Sequence, residues 1–160
     1  MDIVTRRFDH PDARKLNDLV QAEYVERYGA GDLTPLDPAM FDPPGGLFLL
    51  AYDEAGRPVA TGGWRGQRAG GEGYADGDAE LKRMFVVREA RGQGLARLIL
   101  ARLEETARAA GRTRMVLETG TEQPEAIALY RSSGYTQVPA ERKFGLYRHE
   151  ESSRCFVKAL

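Results

Sequence analysis

Cysteine is almost absent from this chain: Cys155 is the only one in 160 residues. No intrachain disulfide can form, so the fold must hold by packing alone. The thiol lies in the apolar run Cys155-Phe156-Val157, which predicts a buried, inert group rather than a nucleophile. Histidine is nearly as scarce. His10 precedes a helix and His149 lies in a charged late stretch; neither reads as catalytic, and no His, Cys and carboxylate group has metal-ligand spacing. No metal is expected. The chain also lacks a run of about 18 apolar residues of the kind that spans a membrane. Met1-Asp2-Ile3-Val4 is followed at once by charges rather than by a leader, which points to the cytoplasm and a reducing compartment. A basic excess is missing too: 23 Lys and Arg against 24 Asp and Glu give a net charge of -1, which argues against a nucleic-acid binder.

The composition that remains, 42% hydrophobic and 29% charged, is that of an ordinary globular protein. A single domain over residues 1–160 is expected, able to bury roughly 70% of its unfolded surface. Met1 to Phe8 reads as an edge strand. Pro11 opens a helix, with Leu16, Leu19, Val20 and Tyr24 at helical spacing. Glycine, proline and aspartate dominate 29–46, a loop. Leu47 to Tyr52 and Val59 to Trp64 flank Asp53-Glu54-Ala55-Gly56 as a hairpin. A central strand covers Glu80 to Val87, and the next helix places Leu95, Leu98, Ile99, Leu103, Thr106 and Ala110 on one stripe. Met115 to Leu117 is a short strand, Pro124 starts a helix ending at Gly134, and Tyr135 to Val138 with Arg154 to Lys158 close the sheet. The order predicts an α/β fold, a mixed central sheet of about six to seven strands with helices on both faces.

The most informative stretch joins the central strand to its helix through Arg91-Gly92-Gln93-Gly94-Leu95-Ala96-Arg97. Two glycines let the backbone turn sharply, and the amides that follow lie at the positive end of a helix dipole with Arg91 and Arg97 beside them, a seat for a diphosphate. A P-loop would need Lys and then Ser or Thr after the second glycine, where Leu95-Ala96-Arg97 stands. The dinucleotide fingerprint would put its third small residue at Arg97. Both patterns fail.

Arg91-x-x-Gly94-x-Ala96 instead resembles the Q/R-x-x-G-x-G/A signature of the GNAT superfamily of acyl-CoA N-acyltransferases, and Gln123-Pro124-Glu125-Ala126-Ile127-Ala128-Leu129-Tyr130-Arg131-Ser132-Ser133-Gly134-Tyr135 is similar to its second motif. The resemblance implies an N-acetyltransferase that moves an acetyl group from acetyl-CoA to a primary amine by direct attack, within a sheet splayed to form an acetyl-CoA slot. It implies that the Arg91–Ala96 amides hold the diphosphate, and that strand residues such as Met84, Phe85 and Val86 serve the pantetheine arm. The Met84 amide would face the thioester oxygen. Gln123 stands where the family usually has Asn. Tyr130 falls on the residue that protonates the departing thiolate, and Glu80 on a register where some relatives carry a catalytic glutamate.

Residue chemistry leaves alternatives open. A solvated glutamate near pKa 4.3 is a poor base, so Glu80 needs burial, or a water relay takes its place, or it simply pairs with Lys82. Lys82 and Arg83 are expected on opposite faces of the strand, with Glu118 as a partner or an acceptor carboxylate as a ligand. The acidic residues Asp32, Asp37, Asp42, Glu72, Asp76 and Asp78 suggest a rim that attracts a cationic amine, and Phe41, Trp64 and Tyr147 an aromatic wall. A non-catalytic acyl-CoA sensor is the rival reading, and a homodimer stays open.

Overall fold

The computed structural model describes all residues, Met1–Leu160. Seven strands form one sheet: β1 (Asp2–Thr5), β2 (Gly46–Tyr52), β3 (Pro58–Gly66), β4 (Asp78–Val86), β5 (Arg114–Gly120), β6 (Thr136–Gln137) and β7 (Ser153–Ala159), ordered β1-β2-β3-β4-β5-β7-β6. Only β4 and β5 run parallel, joined by the crossover helix α2 (Leu95–Ala109); every other neighbouring pair is antiparallel. Helix α1 (Pro11–Tyr28) begins with Pro11, which lacks the N–H a first turn cannot use, and the His10 ring accepts the Asp12 amide at 3.1 Å. Helix α3 (Pro124–Ser132) likewise starts on proline.

Side-chain alternation along the strands divides the core. Leu49 and Ala51 of β2 pack with Trp64, Leu81, Ile99 and Leu103 under α2, and Tyr130 of α3 joins the same cluster. Phe48 and Leu50 point the other way, onto Ala13 and Leu16 of α1 and Phe41. Helices therefore cover both faces. The buried stripe of α2 is Leu95, Ile99, Leu100, Leu103 and Ala107. Leu98, expected on that stripe, is 58% exposed: at 100° per residue it lies on the far side of the turn from Leu100 and Leu103. Leu19 is likewise exposed on α1, where Ala13, Leu16 and Val20 face inward.

Strand β4 departs from regular pairing on both of its edges. Opposite the single Gly62 of β3 stand two residues, Arg83 and Met84, because Gly63 pairs with Lys82 and Thr61 with Phe85. At this bulge Arg83 has φ 59°, a left-handed conformation uncommon for a residue with a side chain. The Thr61 hydroxyl donates to the Arg83 carbonyl at 2.7 Å and secures the kink. On the other edge, β4 pairs with β5 only from Asp78–Arg114 to Glu80–Val116, although both strands continue. The sheet splits there.

Candidate active site

The split opens a cavity of about 400 Å³. One wall is Leu81, Lys82, Arg83 and Met84 of β4, and the other is Leu117, Glu118, Thr119 and Gly120 of β5. Tyr24 and Tyr28 of α1, Asp32, Gln123, Tyr130, Tyr147, Glu150 and Ser153 also line it. Past Glu80 the β5-facing backbone of β4 has no strand partner, so its polar groups, apart from the Val86 carbonyl that Arg91 occupies, are available to something that enters the slot.

Charge in the cavity is organised around Asp32. Its Oδ2 accepts from Lys82 Nζ at 2.8 Å and from Arg83 Nη1 at 3.1 Å. Its Oδ1 accepts from the Thr34 amide, the Thr34 hydroxyl and the Tyr147 hydroxyl at 2.9, 2.6 and 2.9 Å. Burial alone would raise the carboxyl, but Lys82 and the Thr34 bonds outweigh it and hold Asp32 well below the usual carboxylate range. Lys82 and Arg83 thus converge on one carboxylate rather than pointing to opposite faces, because the left-handed turn at Arg83 breaks the alternation a regular strand would impose.

Glu118 has the opposite fate. Burial pushes its carboxyl up to about 7, with Lys82 opposing and Glu80 adding to the rise. Its one hydrogen bond to the protein is the Tyr147 amide at 3.1 Å. Gly145 packs so closely against this carboxylate that a Cβ there would collide with it.

Across the slot, Tyr130 is 6% exposed and packs on Tyr135 and Phe156. Burial, with Tyr24 nearby, raises its phenol above the ordinary tyrosine value, so it stays protonated at neutral pH. Gln123 lines the cavity and its Oε1 accepts from Tyr28 at 3.2 Å.

The loop after β4 has the expected backbone. Gly92 and Gly94 take φ of 81° and 76°, Gly94 ends at the start of α2, and no side chain caps that helix. No amide from Gly92 to Arg97 donates to another group of the protein, leaving six donors at the positive end of a dipole. Arg91 and Arg97 are turned elsewhere. Arg91 donates to the Val86 carbonyl at 2.9 Å and pairs with Glu23 at 2.9 Å, over the Phe85 ring. Arg97 reaches the Ser132 and Ser133 hydroxyls at the end of α3. These side chains brace the loop against α1, β4 and α3.

Glu80 does not join the cavity. It is 1% exposed, its partner is Arg65 at 2.8 Å rather than Lys82, and Gln67 donates to the same oxygen at 2.9 Å. The acidic rim is absent as well. Of the six carboxylates only Asp32 lines the cavity; Asp78 is held by Arg114, Asp42 by Arg7, and Asp37 and Asp76 by local backbone amides. Phe41 and Trp64 are core residues, while Tyr147 does line the slot. Cys155 is buried with its thiol pushed up to about 11 by desolvation. The residue the sequence reading undervalued is Glu118. Its signal was a charge directly following Met115-Val116-Leu117, a buried apolar strand.

The profile of the acetyltransferase (GNAT) family matches residues 13–135. An IAA acetyltransferase of Azospirillum brasilense is 40% identical over 145 residues, covering 86% of this chain and 87% of that one. The uncharacterized N-acetyltransferase YjgM of Escherichia coli (strain K12) is 30% identical over 136 residues, covering 81% and 78%. A GNAT superfamily phosphinothricin acetyltransferase from Sinorhizobium meliloti, solved with AcCoA, shares the fold with a TM-score of 0.72 at 20% identity, covering 100% of this chain and 89% of that chain. A profile that spans most of the chain, together with a relative similar over nearly its whole length, shows that the protein belongs to the acetyltransferase (GNAT) family and is an acetyl-CoA-dependent acetyltransferase.

Proposed function

We propose that the gap between β4 and β5 is where the acetyl group passes to a primary amine, with Glu118 as base and Tyr130 as acid. One observation carries this reading: where the strands part, a glutamate pushed up to about 7 and a protonated tyrosine line the same cavity. The residues present suit acetyl-CoA. The free amides of Gly92, Gln93, Gly94, Leu95, Ala96 and Arg97 match a diphosphate, with Arg91 and Arg97 as braces. The stretch of β4 through Met84, Phe85 and Val86, which has no β5 partner and whose Val86 carbonyl is held by Arg91, suits the pantetheine arm with Gln123 on the cavity lining.

In the reaction the amine nitrogen bonds to the thioester carbon and the carbon–sulfur bond breaks. The acceptor enters as its ammonium and gives one proton to Glu118 before attack. Tyr130 gives its phenolic proton to the departing sulfur, and the second proton lost by nitrogen returns to the Tyr130 phenolate. Burial raises the cost of that donation, but a thiolate released into the same apolar wall is made more basic by the same effect. Cys155 is the only cysteine, and it is buried outside the cavity, so direct attack is favoured over an acyl-enzyme. Glu80, neutralised by Arg65, is set aside as the base. The Azospirillum relative is named for IAA; acceptor choice resides in local contacts, and that name supports acetyl transfer alone. No finding favours the sensor reading.

The test is release of free thiol from acetyl-CoA over a panel of amines. Tyr130→Phe should lower kcat about 100-fold while calorimetry finds coenzyme A bound as before, within the usual range for losing a general acid. An unchanged kcat removes Tyr130 from the mechanism.

A further inference from the structure

We infer that the acceptor carries a carboxylate beside its amine, as an α-amino acid does, and that Arg83 is the residue that selects it; this rests on the reading of the cavity as the acetyl-transfer site. Two cations in the cavity wall, the buried Arg83 and the half-buried Lys82, share a single carboxylate oxygen. Asp32 has nothing more to give, since Thr34 and Tyr147 take its other oxygen. Arg83 is 7% exposed, yet only its Nη1 meets Asp32, and its Nε is buried without any partner. Buried guanidinium nitrogens are ordinarily satisfied. The edge that holds Nε is also the one with which arginine forms paired bonds to a carboxylate. Ser153, 4% exposed, lines the same cavity from β7 beside the β5 wall, and its hydroxyl is orphaned too.

Charge balance points the same way. Lys82 and Arg83 carry two positive charges against one on Asp32, and Glu118 with its carboxyl near 7 adds a negative charge only while it is unprotonated. Glu150 also lines the cavity but is exposed, so once Glu118 takes the amine's proton the Lys82, Arg83 and Asp32 cluster is left with one positive charge that no buried group compensates. A carboxylate on the acceptor supplies the missing negative charge. The backbone of Arg83 adds a separate observation, because a left-handed arginine inside a strand persists only where its placement is over-determined, and such residues gather at binding sites. Size fits as well. A cavity of about 400 Å³, shared with the thioester, leaves room for an acceptor on the scale of an amino acid.

The experiment follows thiol release from acetyl-CoA with each standard α-amino acid beside its α-amide, on preparations whose coenzyme A affinity is measured by calorimetry. The wild type should favour the acid over its amide by at least tenfold in kcat/KM for those it accepts. Arg83→Gln should erase that preference through KM, and Arg83→Lys should recover part of it, since charge returns without the paired geometry. If Arg83→Gln does not fold, Ser153→Ala gives a second reading, with a smaller rise in KM confined to the acids. Amides used as well as acids, or an Arg83→Gln variant that loses both in equal proportion, would overturn the inference. A panel with no turnover while coenzyme A still binds overturns it too, whereas absence of coenzyme A binding brings down the proposed function itself.

Discussion

Glu118 gains its chemistry from its neighbours. An ammonium near pKa 10.4 delivers its proton to a solvated glutamate near 4.3 only at a cost of roughly 8 kcal/mol. With the carboxyl near 7, that cost falls by about 4 kcal/mol. A base that titrates near 7 predicts a pH profile: kcat/KM should climb tenfold per pH unit below about 7 and bend there, since only the ionised carboxylate accepts. Glu118→Gln should lose the bend and at least 100-fold in rate, whereas Glu80→Gln should keep the bend at the same pH. A bend surviving in Glu118→Gln would assign it to another group. The sequence alone leaves Glu80 open between a base and an ion pair, and offers Glu118 only as a partner for Lys82 or Arg83. Register on the central strand drew attention to Glu80, but Arg65, fifteen positions away on the neighbouring strand, neutralises it. What separates a base from a buried ion pair is which side chains lie opposite across the sheet, and no local pattern records that.

At the level of the element, the turn from β4 into α2 was legible because its chemistry is local. Gly92, Gly94 and a helix whose first amides lack a cap are properties of consecutive residues. Helix starts at Pro11 and Pro124 and the hairpin of β2 and β3 were readable for the same reason. The bulge at Arg83 was less so. The register shift depends on Gly62, on the Thr61 hydroxyl and on pairing across strands, so the convergence of Lys82 and Arg83 on Asp32 could not be seen from β4 itself. Gly94 offers the clean test of the loop. Its φ of 76° suits glycine, and a Cβ there meets nothing, so a substitution acts through backbone strain rather than through collision. A β-branched residue in that conformation is strongly disfavoured. Gly94→Val should therefore reshape the amide row and weaken coenzyme A binding more than tenfold by calorimetry, with the far-ultraviolet circular dichroism unchanged. Equal affinity would mean that these amides do not hold the diphosphate.

For the molecule as a whole, the cavity that raises Glu118 must also mark its stability. Folded Glu118 titrates near 7 against 4.5 for the unfolded residue. Between those values the native state keeps a proton that the unfolded chain releases, so stability falls as pH rises through this window. The difference is worth up to about 3 kcal/mol. Asp32 works in the opposite sense and lower down: its depressed carboxyl contributes stability above the unfolded value of 3.8 and loses it as pH falls. The ligand-free protein should accordingly be most stable near pH 4 to 5, and then lose stability over the range in which the proposed base gains activity. Urea unfolding at intervals from pH 4.5 to 7.5 measures the slope directly, and Glu118→Gln should flatten it whatever that substitution does to absolute stability. Adding coenzyme A at about 100 times its Kd should restore roughly 2.7 kcal/mol at every pH, because a ligand bound only by the native state stabilises by mass action. A Glu118→Gln slope as steep as the wild type would show that some other group keeps the proton, and the assignment of the base would fall with it.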